Sequence, residues 1–135
     1  MKKVLFLSAG TPCRAVMAKA IMTKDFIEQN DIEFDGAGIE DNQEINENAM
    51  KILLEEGVDL STLVPKTLSH VMDNEYDLVV TICHYSKEIC PVFPHNIPTI
   101  HLEFPIIDSE DEKTCREFVA KLRRVAKPVI QKELA

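Results

Sequence analysis

The 135-residue sequence has no tryptophan, two tyrosines and only four glycines. Its four cysteines are too sparse for a small disulfide-stapled secreted domain. No apolar run approaches the ~20 residues of a membrane-spanning helix, and the apolar start breaks at Ser8-Ala9-Gly10 with no signal-peptide cleavage site after it. Acidic residues outnumber basic ones by 23 to 15, giving a net charge of −8 with no basic block. These absences predict a cytoplasmic protein without a nucleic-acid or membrane partner.

Short apolar runs alternate with helical patterns along the chain. Strands are predicted at 3–7, 33–39, 77–82 and 98–102, and the glycines of the second strand suggest close backbone approach. Helices are predicted from Val16 to about Gln29 and from an Asn46 cap to an end at Gly57. A capping box at 109–112 opens the last helix, which Pro128 should kink or end. This alternation predicts a single α/β domain over residues 1–135 with a parallel sheet.

The loop from Ser8 to Arg14 joins the first strand to the first helix. Ligands of open α/β sheets bind at the carboxyl ends of strands. Free amides and the dipole at a helix N-terminus favour an anion there. Arg14 adds a planar fork of donors that suits phosphate-like oxyanions. The sequence therefore predicts an oxyanion site in this loop.

Four segments carry a family resemblance. Residues 4–18 resemble the phosphate loop, Cys-x5-Arg, of low-molecular-weight protein tyrosine phosphatases and thioredoxin-coupled arsenate reductases. Residues 36–40 (Gly-Ala-Gly-Ile-Glu) and 77–83 (Asp-Leu-Val-Val-Thr-Ile-Cys) resemble two strand ends of that family. Cys83-x6-Cys90-Pro91 resembles the resolving pair of its arsenate-reductase branch. The resemblance implies a phosphotyrosine protein phosphatase I-like fold: three layers, with helices on both faces of a four-stranded parallel sheet in the order 2-1-3-4.

The resemblance also implies roles for particular residues. In that family the first loop cysteine attacks arsenate, a second cysteine releases arsenite, and a third closes a disulfide that thioredoxin reduces. The matching catalytic positions here are Ser8, Arg14, Cys83, Cys90 and, as a general acid from a shifted place, Asp108. The implied oxyanion-binding residues are Ser8, Ala9, Gly10, Thr11, Cys13, Arg14 and Ala15. The implied partners are a small oxyanion (arsenate, phosphate or sulfate) and thioredoxin, with no cofactor and no metal.

Ser8 is the main departure from the family pattern. A serine hydroxyl needs an adjacent base before it can attack, and it cannot form a disulfide. Pro12 removes one backbone donor from the loop, and Ala15 stands where the family has a serine. Asp108 is displaced from the family's Asp-Pro position. These changes together predict an oxyanion-binding protein without the standard cysteine-based turnover.

Two other interpretations stay open. Ser8 could stand in place of a native cysteine, in which case the chain is a genuine arsenate reductase or phosphatase. A working enzyme as written would need Cys13 as its nucleophile, and Cys13 is either a thiol of lowered pKa at the helix start or a small buried thiol. The third interpretation is a thiol-redox or arsenite-binding protein that uses Cys83 and Cys90, with or without Cys13.

Three smaller questions concern cysteines and histidines. A zinc set of Cys83, His84, Cys90 and His95 is weak, because Cys-x6-Cys is not the usual ligand spacing. Cys115 is expected in the core or at the surface. His70 and His101 are expected to be packing or surface residues.

Overall fold

The structure, a computed structural model, describes residues 2–10, 12–28, 31–40, 45–84, 89–104 and 112–134. Its strands are Lys2–Ser8 (β1), Ile32–Gly38 (β2), Leu78–Cys83 (β3) and Thr99–Glu103 (β4). They form one parallel sheet in the order β2-β1-β3-β4. The predicted sheet is confirmed, because continuous apolar runs such as 78–82 are typical of parallel strands covered on both faces.

The described residues contain five α-helices. These are Cys13–Asp25 (α1), Glu47–Glu55 (α2), Leu68–Val71 (α3), Glu112–Lys121 (α4) and Lys127–Glu133 (α5). The sequence pattern did not predict α3 or the 3-10 turn Leu60–Thr62, since such short elements show no periodicity. The predicted capping box at 109–112 lies mostly outside the described residues. None of the described helices is long and apolar enough to cross a membrane.

The two faces of the sheet are covered to different extents. On one face, alternate strand side chains such as Phe6, Val80 and Ile82 pack against α1, α2, α4 and α5. On the other face, Leu5 and Val79 belong to a smaller cluster that α3 and residues 93–97 complete. Helices lie on both faces, as the fold prediction required. The larger core fixes α1 against the sheet, and α1 begins at the predicted site.

Pro128 changes the winding of the last helical stretch. The residues between α4 and α5, Leu122–Ala126, form a π-helical turn, and Pro128 lies in the first turn of α5. Proline has no N–H, and its ring clashes with the carbonyl four residues earlier. A wider turn before the proline accommodates both effects. The helix therefore continues past the position where the sequence predicted a kink or an end.

Asn46 caps α2 as predicted. Its Oδ1 accepts hydrogen bonds from the N–H groups of Asn48 at 2.8 Å and Ala49 at 3.3 Å. We expect Asn46→Ala to lower the free energy of unfolding by about 1 kcal/mol, because two helix-end donors lose their partner. Urea denaturation measures the change. Asn46→Ser is the control, and an equal loss in both variants would show that the cap is not the cause.

Candidate functional site

The loop after β1 is held between the ends of the two neighbouring strands. The N–H of Ala9 continues the sheet by donating to the carbonyl of Ile82 at 2.9 Å. Gly10 adopts a φ of 72°, a region that glycine enters without steric cost. Its carbonyl accepts the N–H of Glu40 at 2.8 Å, and the Ser8 carbonyl accepts the N–H of Ile39 at 3.3 Å. The loop is thus fixed at the carboxyl end of the sheet.

Gly36 allows α1 to begin directly against β2. A Cβ atom at Gly36 would lie 2.6 Å from the carbonyl oxygen of Ala15 and 2.9 Å from its carbonyl carbon. Those distances are shorter than real Cβ contacts, so the backbones approach as closely as glycine permits. The close approach predicted from the glycines of this strand is found at Gly36.

Among the residues that the structure describes, no side chain caps the N-terminus of α1. Pro12 stands at the N-cap position and makes no side-chain hydrogen bond, and the first turn contains no acidic residue. The Val16 N–H makes a helical bond to the Pro12 carbonyl at 2.9 Å. The N–H groups of residues 13–15 precede that bond, so they have no carbonyl acceptor within the helix. Together with the helix dipole, they make this end of α1 attractive to an anion.

Arg14 brings a positive charge to the same place. Its side chain is buried, with 5% of the residue exposed, and Nη2 donates to the Ala9 carbonyl at 3.0 Å. The guanidinium therefore lies back over the loop instead of extending into solvent. Arginine is the side chain that holds oxyanions through parallel N–H bonds. The loop, the helix start and Arg14 can act chemically as an anion site.

Ser8 is fully buried at the end of β1. Its hydroxyl donates to the carbonyl of Ala37 at 3.5 Å. A carbonyl oxygen accepts this hydrogen bond but is far too weak a base to take the proton. The contact orients the hydroxyl without activating it for attack.

Cys13 is a buried thiol in the first turn of α1, with 7% of the residue exposed. Burial raises its pKa above the usual value, and this effect outweighs the lowering by the Asn46 backbone hydrogen bond and the Arg14 charge. The helix-start position alone suggested a lowered pKa, but desolvation dominates. Of the two interpretations of Cys13, the structure favours the small buried thiol over a substitute nucleophile.

Cys83 and Cys90 are joined by a disulfide. Their Cα atoms lie 5.3 Å apart, a normal separation for a bridged pair. Cys83 is the last residue of β3 and is fully buried, whereas Cys90 is half-buried. Residues 84, 89 and 90 are not helical. The backbone is therefore irregular at both ends of the segment between the two cysteines.

The remaining candidates lie elsewhere. His95 Nε2 contacts the Met72 carbonyl at 2.6 Å, and with both cysteines of the zinc set in a disulfide that set is not assembled. Cys115 is buried in the core. His70 accepts the Thr67 N–H at 3.0 Å, and His101 contacts the Thr81 hydroxyl at 2.6 Å. Both histidines are exposed, so they are surface residues. Thr11 and Asp108 lie outside the described residues, and their roles stay predictions.

One polar cluster was not predicted. The Tyr76 hydroxyl donates to Asp35 at 2.8 Å, and Lys66 pairs with the same carboxylate at 3.0 Å. Burial raises the pKa of Tyr76, so its hydroxyl stays protonated and acts as a donor. The only sign of this cluster in the sequence is an aspartate inside a predicted strand. That position does not predict which residues contact the carboxylate.

Similarity to known proteins agrees with this geometry. The chain is 34% identical over 124 residues to an arsenate reductase from Halalkalibacterium halodurans, covering 92% of this chain and 86% of the relative. It is 33% identical over 103 residues to an arsenate reductase from Bacillus cereus, covering 76% and 75% of the two chains. A crystal structure of an arsenate reductase from Archaeoglobus fulgidus superimposes with a TM-score of 0.81 at 26% identity, covering 95% and 98% of the two chains.

Residues 3–104 match the family described as low molecular weight phosphotyrosine protein phosphatase. That span contains all of β1 except Lys2, strands β2 to β4, the loop from Ser8 to Arg14 and the Cys83–Cys90 pair. With its sheet order, its loop and its arsenate reductase relatives, the chain belongs to the low molecular weight phosphotyrosine protein phosphatase family.

Proposed function

We propose that this chain is an arsenate-reductase-like oxyanion-binding protein. With Ser8 at the nucleophile position, it lacks the standard cysteine-based turnover. The ligand class is arsenate, phosphate or sulfate, bound by the loop from Ser8 to Ala15. The observation that carries the proposal is the uncapped start of α1, with buried Arg14 folded over the same loop. Curated relatives named arsenate reductase support the choice of ligand.

Ser8 supports the second half of the proposal. In the family mechanism a thiolate attacks the oxyanion, and its sulfur later enters a disulfide. A hydroxyl donating to the Ala37 carbonyl supplies neither an anionic nucleophile nor a sulfur. Cys13 offers no replacement, since its raised pKa keeps it protonated near neutral pH. The proposed protein therefore retains the anion and does not convert it.

The Arg14→Lys variant is expected to bind arsenate and phosphate at least tenfold more weakly than the parent protein. Lysine keeps the charge but loses the planar fork of donors, which costs about 1.4 kcal/mol or more at a two-point contact. Amide NMR titration with each anion measures this. In the parent we expect saturable shifts at Gly10 and at residues 13–15.

Arg124→Lys is the matched control, since Arg124 is exposed on the far helical stretch, and it should leave anion binding unchanged. An unaltered amide spectrum away from the loop shows that Arg14→Lys remains folded. Absence of saturable shifts in the parent at millimolar anion would refute the proposed oxyanion site.

A second candidate function rests on the Cys83–Cys90 pair. We propose that its reduced form binds trivalent arsenic, since two thiols whose Cα atoms are 5.3 Å apart can reach one arsenic atom. Each As–S bond forms as an arsenite hydroxyl leaves with a thiol proton as water. A solved relative is described as a thioredoxin-dependent arsenate reductase from Corynebacterium glutamicum, which supports a thioredoxin-type dithiol as the reductant of the disulfide.

The Cys90→Ser variant tests this second candidate. After reduction with a phosphine, the parent should take up one equivalent of arsenite by intact-mass spectrometry, and Cys90→Ser should take up none. Cys115→Ser is the matched control, because Cys115 is a buried core thiol outside the pair. Equal uptake by the parent and by Cys90→Ser would exclude the pair as the arsenic site.

A further inference from the structure

A groove of about 580 Å³ runs along the outer side of α1, opposite the segment from Gly57 to Val64 that follows α2. This volume lies within the usual range for small-molecule sites. The groove lining begins at Val16, directly after Ala15, extends to Ile27 beyond the end of α1, and includes none of residues 8–15. It is therefore a separate feature from the anion loop.

The floor and rim of the groove are mainly aliphatic. Val16 and Ala20 line it from α1, and Val58, Leu63 and Val64 line it from the facing segment. Two large apolar side chains are left open to water at this groove, Ile27 at 71% and Val64 at 54% exposure. Exposed aliphatic surface next to a concave apolar lining favours a ligand with a hydrocarbon portion.

Most of the charged side chains beside the groove already have partners within the protein. The Lys24 ammonium donates to the Glu56 carbonyl at the end of α2, and a Cβ at Gly57 would collide with it. The nearby acids Asp25 and Glu56 are both bound by Arg123, at 3.0 and 2.8 Å. Lys24 is therefore committed to capping α2, and those two acids are already paired.

Lys19 is the cation that is left to a ligand. It lines the groove, is partly exposed, and forms no ion pair or hydrogen bond with the residues that the structure describes. An unpaired ammonium beside an aliphatic cleft matches an anionic head group on a hydrocarbon tail. Asp59 on the rim opposes such a head group, although its carboxylate is held by the N–H and hydroxyl of Ser61 at 3.0 and 2.7 Å.

We propose that the groove between α1 and residues 57–64 binds a medium-chain aliphatic carboxylate, with the tail against Ala20, Leu63 and Val64 and the carboxylate on Lys19. The tail supplies most of the affinity, because each buried methylene is favourable on transfer from water. Lys19 selects the charged head group over a neutral one. The site needs no contribution from Ser8 or Arg14.

Amide NMR titration with decanoate, below its micelle concentration, tests the proposal. Saturable shifts are expected at residues lining the groove, with at least about fivefold weaker binding for Lys19→Gln and for decanol in place of decanoate. Octanoate has two methylenes fewer and should bind about fifteenfold more weakly than decanoate. Asp59→Asn removes the opposing charge and keeps a good capping side chain, so it should tighten binding about two- to threefold.

Lys132→Gln, an exposed lysine on α5, is the matched control and should bind decanoate like the parent. Thr23→Trp, a groove-lining substitution at an exposed helix position, should block binding without unfolding the chain. The Arg14→Lys variant should retain decanoate binding, so failure of the oxyanion proposal leaves this one standing. Shifts confined to residues 9–15, no saturation, or equal affinity of the parent and Lys19→Gln would overturn it.

Discussion

The Ser8→Cys variant is expected to gain a thiol with a pKa below about 7, against about 8.5 for a free cysteine. The position lies at the end of β1, one of the two inner strands, where the loop leads to the N-terminus of α1 and the buried Arg14 guanidinium. Both features stabilise a thiolate. Burial destabilises a thiolate here, as it does at Cys13. Cys13, however, lies inside α1, whereas position 8 precedes the helix.

Thiolate absorbance near 240 nm, followed from pH 5 to 10 as a difference from the parent, measures the new pKa. Adding Arg14→Gln to Ser8→Cys should raise that pKa by about one unit, because the stabilising cation is removed. A short cysteine-containing peptide supplies the unperturbed reference. A pKa for Ser8→Cys at or above the reference would mean that the loop no longer stabilises negative charge, contrary to the proposed function.

The same variant separates two explanations for the proposed absence of turnover. If Ser8→Cys reduces arsenate with a thioredoxin system and Cys83→Ser in that background does not, the nucleophile alone was missing. If the thiolate forms without turnover, the other departures from the family pattern, at Pro12, Ala15 and Asp108, are also responsible. Either result fixes which departures from the family pattern matter chemically.

Gly36→Ala is expected to lower the free energy of unfolding by about 2–3 kcal/mol. The added methyl group would lie 2.6 Å from the Ala15 carbonyl oxygen. That atom belongs to the backbone of α1 and cannot swing away as a flexible side chain would. Either β2 or the first turn of α1 must move, and both are packed in the main core.

Urea denaturation measures the stability of Gly36→Ala, and phosphate titration measures the anion site in the same variant. Binding should weaken along with stability, because the displaced first turn carries the loop amides. Glu33→Ala, an exposed position on the same strand, should change neither quantity by more than about 0.5 kcal/mol. A Gly36→Ala protein as stable as the parent would contradict the close contact between β2 and α1.

The sequence was informative where a local rule decides the structure. Continuous apolar runs identified the strands, and the Asn46 cap and the Gly57 end of α2 followed from side-chain and φ preferences. The family resemblance supplied the sheet order, which periodicity alone does not contain. Gly36 was noted for close approach, although its partner Ala15 was known only from the packed structure.

The sequence was less informative where burial or distant contacts decide. At Cys13, proximity to a helix start predicts a lowered pKa, whereas the packed core raises it. The Cys83–Cys90 bond depends on the backbone path between the two residues, and sequence spacing left it open. The groove beside Lys19 exists only because residues 57–64 return alongside α1.

The central place of β1 has a consequence for synthesis on the ribosome. Strand β1 is made before both of its neighbours, and one of them, β3, begins only at Leu78. The Lys3 carbonyl accepts the N–H of Asp77, more than half the chain later. Until that part has left the exit tunnel, one edge of a strongly apolar strand is unpaired and prone to wrong association. The nascent chain therefore carries this unpaired apolar edge until β3 has been made and has left the tunnel.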